Sequence, residues 1–286
     1  MLPLVLNFTP TGMLPMKKDC PFVPISPKEI IEDVRIANEQ GITSVHLHAR
    51  DEATEEPTYH KEVFEEIIMG IRAFAPELVV VVTTSGRKYS QVEKRAEVLE
   101  LEGDAKPDMA SLTLSSLNFN NVASVNEPST IQALCRTMLE RGIKPELEAF
   151  DVGMLNYAKY LISKQLVEPP FCFSLIFGNI ACAQADFLTM GLMLNNLPED
   201  SYAQFGGIGR YQQLVNAVAV ASGYGVRVGL EDNYWFDEQR TVLATNEMLL
   251  ERVRLLAKTN GREIMKPSEF RRRLRLKPGN GEYGCL

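Results

Sequence analysis

Hydrophobic and polar positions alternate in short runs along the chain, and segments with helical periodicity separate these runs. Runs of this length that are rich in β-branched and aromatic residues predict strands. Eight strands are predicted, at 4–9, 43–49, 78–84, 109–114, 146–150, 171–177, 202–206 and 225–231. Between the first two, Ser26 followed by Pro27 and Glu29 predicts a helix that begins with a capping box, and Gly41 predicts its end.

Eight successive strand and helix units predict a single α/β domain with the (β/α)₈ TIM-barrel fold. No Ser/Gly-rich linker or change of composition divides residues 1–286, and the surplus from about residue 266 predicts a C-terminal helical extension with a tail. A doubly wound sheet is the alternative architecture, but no Gly-x-Gly-x-x-Gly motif follows the first strand.

Composition supports an ordinary globular protein and excludes some partners. Of 286 residues, 45% are hydrophobic and 23% are charged, with a formal net charge of −7. That charge and the lack of a basic, aromatic surface motif argue against nucleic acid. No apolar run reaches roughly 18 residues and no charged leader is visible, so we expect no membrane contact and a cytoplasmic location. The five scattered cysteines predict reduced thiols.

Strand parity places a set of polar side chains inside the predicted barrel. His46 and His48 are two residues apart, so both point to the same face, while Val45 and Leu47 pack outward. The same alternation turns the following residues inward: Thr83, Ser85, Ser111, Thr113, Glu146, Glu148, Arg227 and Glu231. These residues gather near the carboxyl ends of the strands, where active sites of this fold lie.

Two histidines and a carboxylate on neighbouring strands predict a metal site. Closure of the barrel brings Glu231 within one strand of His46 and His48, and three such ligands with open positions are typical of catalytic zinc. The same ligands also suit non-haem iron. The alternative is a structural arrangement, in which the histidines are hydrogen-bonded core residues and Glu231 forms an ion pair with Arg227.

Three other segments are weaker evidence for a binding site. Residues 206–210, Gly-Gly-Ile-Gly-Arg, follow the seventh strand where barrels often bind phosphate, although a simple turn fits equally well. Arg87 and Lys88 could meet an anion at the barrel mouth, but a solvated surface is the default interpretation. The basic tract 271–277 is most simply a solvated helix face.

Several short motifs in order resemble one family. VHLHARD, TTSGR, PDMASLTLSSLNF, PELEAF, GGIGR and VRVGLEDN are similar to the β-keto acid cleavage enzymes, which include enzymes that cleave 3-keto-5-aminohexanoate, and the resemblance covers nearly the whole chain. It implies a zinc-dependent (β/α)₈ barrel. It also implies an acyltransferase that converts a β-keto acid and acetyl-CoA into acetoacetate and a new acyl-CoA.

The resemblance also implies roles for individual residues. His46, His48 and Glu231 would bind Zn²⁺, Asp232 would be the general base, and Arg227 and Glu148 would supply supporting charge. The positions that hold the keto acid are Thr83, Gly86 and Ser111.

Leu14 departs from the family pattern. Enzymes that cleave the aminohexanoate carry a glutamate there, which holds the substrate's amino group, and an apolar residue cannot offset a desolvated ammonium. We therefore expect 5-amino-3-oxohexanoate to be a poor substrate and a neutral or apolar chain to be preferred. Arg87 stands where those enzymes have a small residue, so a second acidic group on the substrate is an alternative expectation.

Two other functions remain open. A metal-dependent lyase or hydrolase would act without acetyl-CoA, and a non-catalytic binding barrel would hold no stoichiometric metal. Analogy with the family predicts a homo-oligomer, with a tetramer as the expected state.

Overall fold

Eight parallel strands close into a barrel, which confirms the predicted TIM-barrel fold. The structure is a computed structural model that describes residues 2–276. In chain order the strands are β1 Leu6–Phe8, β2 Ser44–Leu47, β3 Ala49–Arg50, β4 Pro57–Thr58, β5 Val79–Val82, β6 Met109–Thr113, β7 Leu117–Asn118, β8 Ala123–Ser124, β9 Lys144–Ala149, β10 Phe171–Phe177, β11 Ser201–Gly207 and β12 Gly225–Val228. The barrel runs β1-β2-β5-β6-β9-β10-β11-β12 and closes where β12 pairs with β1. The pairs β3–β4 and β7–β8 are small antiparallel hairpins.

Helices follow the barrel strands and, except for the last, cover them on the outside. They are α1 Pro27–Glu39, α2 Lys61–Arg72, α3 Val92–Ala96, α4 Pro128–Glu140, α5 Val152–Ser163, α6 Phe187–Asn195, α7 Gln212–Ser222, α8 Asn246–Thr259 and α9 Pro267–Leu274. The capping box predicted for α1 is confirmed, because the Ser26 side chain accepts from the Glu29 N–H and the Glu29 side chain accepts from the Ser26 N–H. None of the helices described is both long and apolar enough to cross a bilayer.

The main core lies between the barrel and the helices. Val45, Leu47, Val80 and Val82 belong to it, as the strand parity predicts. Their alternation partners on the same strands therefore face the barrel interior.

A second, smaller core fills the amino-terminal end of the barrel. Val5, Val79, Val81, Met109 and Cys172 contact a group from the C-terminal segment, namely Met265, Phe270, Leu274 and Leu276. The predicted C-terminal helix is thus α9, which closes the barrel opposite to the strands' carboxyl ends. The predicted tail beyond residue 276 lies outside the described residues, and a single domain over 1–286 stays a prediction.

Candidate active site

His46 and His48 lie at the carboxyl end of β2, on the side that the alternation predicts. Both are buried, and their ring centroids are 5.3 Å apart. His46 belongs to the strand and His48 follows it directly. Burial lowers the pKa of His48 to about 4, which keeps its imidazole neutral and able to ligate a metal.

Glu231 reaches the histidines from a turn and not from a strand. β12 ends at Val228, before the predicted boundary. Gly229 then passes so close to β1 that a Cβ there would lie 2.0 Å from the carbonyl oxygen of Thr9. Glu231 Oε1 lies 3.2 Å from Nε2 of His48 and 4.0 Å from Nε2 of His46. One ligand atom from each of the three residues falls within 4.8 Å of the others.

Arg227 links the acidic residues of the site. Its Nε donates to Asp232 Oδ2 at 2.9 Å and its Nη2 donates to Glu231 Oε1 at 2.6 Å, while Nη1 lies 3.4 Å from Glu148 Oε1. The Arg227–Glu231 ion pair considered as an alternative to a metal is therefore present. It occupies only one oxygen of the Glu231 carboxylate.

The other Glu231 oxygen fits a metal ligand. Oε2 is buried and has no hydrogen-bond partner among the described residues. A buried carboxylate oxygen without a partner is costly, and native structures rarely leave one. Because two imidazoles face the same carboxylate, a divalent cation would satisfy Oε2 and complete a set of two nitrogens and one oxygen.

Glu146 supports His46 from inside the barrel, a role that the sequence reasoning missed. The side chain is fully buried, and Oε2 lies 2.7 Å from His46 Nδ1. Oε1 accepts from Asn7 Nδ2 at 2.9 Å, from Ser174 Oγ at 2.8 Å and from Gln204 Nε2 at 2.6 Å. A carboxylate that holds one ring nitrogen directs the other toward the metal position. The inward parity of Glu146 was visible in the sequence, but its partners were not.

Gly12 and Arg50 are two further residues that the sequence reasoning missed. Gly12 has φ +66°, and a Cβ there would lie 2.4 Å from Cγ of Glu231. The buried Arg50 holds this loop, because its Nε donates to the Gly12 carbonyl at 2.7 Å and its Nη2 donates to the Pro15 carbonyl at 3.0 Å. Arg50 follows the second histidine by two residues, a spacing that was visible but had no obvious partner.

Asp232 and Glu148 are buried carboxylates beside the metal-ligand set. Burial raises the pKa of both, against the opposing pull of Arg227. Glu148 Oε2 accepts from Thr113 Oγ1 at 2.8 Å. A carboxyl group with a raised pKa near a substrate cavity suits proton transfer.

A cavity of about 660 Å³ opens over these residues, and it includes some of the predicted substrate contacts but not all. Leu14 and Thr83 line it, together with Thr113. Ser111 and Gly86 do not. The Ser111 hydroxyl accepts from the Thr84 N–H at 3.3 Å, and a Cβ on Gly86 would lie 2.6 Å from the Val125 carbonyl oxygen.

The family assignment follows from comparison with known proteins. Residues 3–276 match the model of the family described as beta-keto acid cleavage enzyme. The chain belongs to this family. The predicted family and the predicted enzyme class, an acyltransferase, are therefore confirmed.

Relatives of this β-keto acid cleavage enzyme differ in their keto acids. It is 35% identical to a 3-keto-5-aminohexanoate cleavage enzyme of Fusobacterium nucleatum, over 96% of this chain and 98% of the relative. It is 32% identical to a 3-oxoadipate:acetyl-CoA acetyltransferase of Cupriavidus necator, over 94% and 93%. The structure of ObcA with oxaloacetate shares the fold, with a TM-score of 0.77 at 20% identity over 90% of this chain and 68% of ObcA. Family membership alone therefore leaves the keto acid open.

Proposed function

We propose that this protein is a zinc-dependent enzyme that exchanges acyl groups between a β-keto acid without a 5-amino group and acetyl-CoA, releasing acetoacetate and a new acyl-CoA. The observation that carries the proposal is the Glu231 carboxylate, which lies beside His46 and His48 and whose buried Oε2 has no hydrogen-bond partner among the described residues. When bound there, zinc would polarise the 3-oxo group and stabilise the negative charge that forms when C2 is deprotonated. Iron is the alternative metal for the same ligands.

Asp232 is the proposed general base. It adjoins Glu231 in sequence, it is buried beside the cavity, and the Arg227 Nε hydrogen bond fixes its orientation. The Asp232 carboxylate would take a proton from C2 of the keto acid, and the resulting carbon nucleophile would attack the thioester carbonyl of acetyl-CoA. The CoA thiolate expelled by this attack would then add to the original 3-oxo carbon, cleavage of the C2–C3 bond would release the new acyl-CoA, and the proton held by Asp232 would return to C2 to give acetoacetate.

Arg227 and Glu148 would maintain the charge balance around this base. Arg227 contacts Asp232, Glu231 and Glu148, so one guanidinium lies among three carboxylates in a buried site. Thr83, on the wall of the cavity, would contact the keto acid. Gly86 and Ser111 would act one layer behind it, by allowing close backbone packing and by holding Thr84.

Leu14 supports the exclusion of an amino group from the substrate. It lines the cavity and is 61% exposed, and it offers no carboxylate to an ammonium. The acidic residues of the cavity wall, Glu148, Glu231 and Asp232, are all engaged by Arg227. An ammonium group beside Leu14 would therefore find no carboxylate to pair with.

The test is a product screen. Zinc-loaded protein is incubated with acetyl-CoA and a panel of β-keto acids, and acetoacetate and new acyl-CoA species are measured by mass spectrometry. We expect turnover that depends on acetyl-CoA, a ratio of kcat/KM that favours 3-oxohexanoate over 5-amino-3-oxohexanoate, and a loss of about 100-fold or more in Asp232→Asn. Turnover without acetyl-CoA would instead indicate a lyase or hydrolase. Folded protein that changes no keto acid would contradict the proposal.

A tetramer is proposed by analogy with the family. Light scattering of the purified protein would give the oligomeric state directly.

A further inference from the structure

Arg87 lies in the wall of the active-site cavity and not on the solvated surface, which was the default interpretation of the sequence. Its guanidinium carbon is 3.4 Å from the ring centroid of Phe119. The Phe119 ring in turn meets Phe150 edge-on, with centroids 5.9 Å apart, and both rings line the cavity. Phe119, which itself packs against Phe150, thus supports the guanidinium plane at the wall.

Within residues 2–276, the guanidinium of Arg87 has no hydrogen-bond acceptor, and its Nε is buried. No carboxylate in that range comes within ion-pair distance of it. Other buried arginines near the site are satisfied, since Arg227 contacts three carboxylates and Arg50 donates to three carbonyl oxygens. A half-buried cation whose donors have no acceptor is costly to the fold unless a ligand supplies one.

The position of Arg87 indicates what that ligand is. His48, Glu231 and Asp232 line the same cavity, so a molecule held at the metal-ligand set can extend toward Arg87. Met13 and Leu14 line the cavity as well and offer apolar contact for methylene groups. A guanidinium fork matches a carboxylate, with two parallel hydrogen bonds.

We propose that Arg87 binds a second carboxylate at the far end of the substrate, so that the enzyme acts on β-keto diacids. This inference rests on the proposed function, because the metal-ligand set must hold the β-keto acid end of the same molecule. It replaces the neutral or apolar substrate chain expected from Leu14 with a chain that ends in an anion.

The phosphates of CoA are the other anions that this cavity must accept, and different arginines suit them. Arg210 and Arg240 line the cavity too, but both are exposed to solvent. Arg210 already donates to the Tyr211 hydroxyl at 3.0 Å. The phosphates of CoA lie far along the pantetheine arm from the reacting thioester, so exposed arginines are better placed for them than the half-buried Arg87.

Calorimetry without acetyl-CoA tests the proposal apart from catalysis. Dissociation constants of 3-oxoadipate and 3-oxohexanoate, which have the same number of carbons, are measured on zinc-loaded protein. We expect the diacid to bind at least tenfold more tightly to the wild type, and this ratio to fall to about threefold or less in Arg87→Met. Arg210→Met is the matched control, because it also removes a guanidinium from the cavity wall, and it should keep the wild-type ratio.

Three outcomes would overturn the inference: equal binding of the two acids by the wild type, an unchanged ratio in Arg87→Met, or a loss of CoA affinity in Arg87→Met as large as the loss for the diacid. Turnover with acetyl-CoA is measured in parallel. Selective binding of 3-oxoadipate without turnover of any keto acid would contradict the proposed function and leave the role of Arg87 supported. Turnover with acetyl-CoA but without selective binding of 3-oxoadipate would contradict the role of Arg87 and leave the proposed function supported.

Discussion

Glu146 connects one proposed metal ligand to much of the barrel. It lies on β9 and contacts Asn7, His46, Ser174 and Gln204, which come from four other strands. Replacing Glu146 with Gln removes the charge that orients the His46 ring and places an amide among donors. We expect metal affinity to fall about 10- to 100-fold while the barrel stays folded, as measured by competitive metal titration.

Glu97→Gln serves as the control for that titration. Glu97 belongs to a group with His60 and Glu62 that has ligand spacing but is largely exposed. Its removal should leave metal affinity unchanged. Equal affinities of Glu146→Gln and the wild type would show that the His46 contact has no part in metal binding.

Gly12 tests whether backbone packing positions Glu231. In Gly12→Ala the new Cβ meets Glu231 Cγ at 2.4 Å and the Glu231 backbone at 2.9 Å, in a conformation with positive φ. We expect a loss of about 1–3 kcal/mol in the free energy of unfolding and weaker metal binding. Gly41→Ala is the matched control, because its φ is +88° and no atom lies within 4 Å of the new Cβ. It should lose stability alone, and weaker metal binding there as well would indicate a general effect of strain.

The helix α9 closes the end of the barrel away from the site. A substitution there is therefore expected to change the stability of the protein and to leave its activity unchanged. Phe270 is buried among Val5, Val79 and Val81. Phe270→Ala should lower the free energy of unfolding by about 3–5 kcal/mol in urea denaturation, because the cavity left inside the barrel cannot collapse. The kcat/KM of the folded fraction should change little. Leu255→Ala, at a 62% exposed position of α8, should cost far less, and a comparable cost there would contradict burial as the cause.

α1 and α8 meet behind the Glu231 turn through Asp33 and Asn246. Asn246 Nδ2 donates to Asp33 Oδ2 at 2.6 Å and to the Pro10 carbonyl at 2.9 Å, and its Oδ1 accepts from the Leu230 N–H at 2.9 Å. Burial raises the pKa of Asp33 from 3.8 to about 6. Ionisation of this half-buried carboxyl therefore opposes folding.

The pH dependence of stability follows from that shift. Between about pH 4 and 6 the folded state binds more protons than the unfolded state, so the contribution of Asp33 to stability falls as pH rises through this range. Asp33→Asn keeps an acceptor for Asn246 and removes the charge. It should be more stable than the wild type by about 1–2 kcal/mol at pH 7.5, and the difference should shrink toward pH 4 in thermal or urea melts. Glu32→Gln, an exposed change on the same helix, is the control, and an Asp33→Asn variant that is less stable at every pH would contradict this account.

At the scale of the whole molecule, the features that could be predicted from the sequence are those that depend on local alternation and capping. The eight strands, the inward histidines and the start of α1 follow from periodicity and capping, which neighbouring residues determine. The contacts of Glu146, Gly12 and Arg87 depend on residues far apart in the chain. Ser111 has the predicted parity but lies one layer behind the cavity wall, because Thr113 reaches the opening instead. Parity gives the side of a strand and not the depth along the barrel.

Metal binding should stabilise the whole barrel. The proposed ligands lie at the end of its second strand, β2, and after its last strand, β12, so the ion joins segments that are far apart in the sequence. An ion that binds only the folded state at 100 times its dissociation constant adds about 2.7 kcal/mol, which raises the midpoint of unfolding by about 5 °C. We expect zinc to produce this shift in metal-free protein with one ion bound per chain, by calorimetry and elemental analysis. His48→Ala should abolish both effects and Glu97→Gln should retain them. A shift that persists in His48→Ala would place the ion elsewhere, and its absence with both zinc and ferrous iron would contradict a metal at this site.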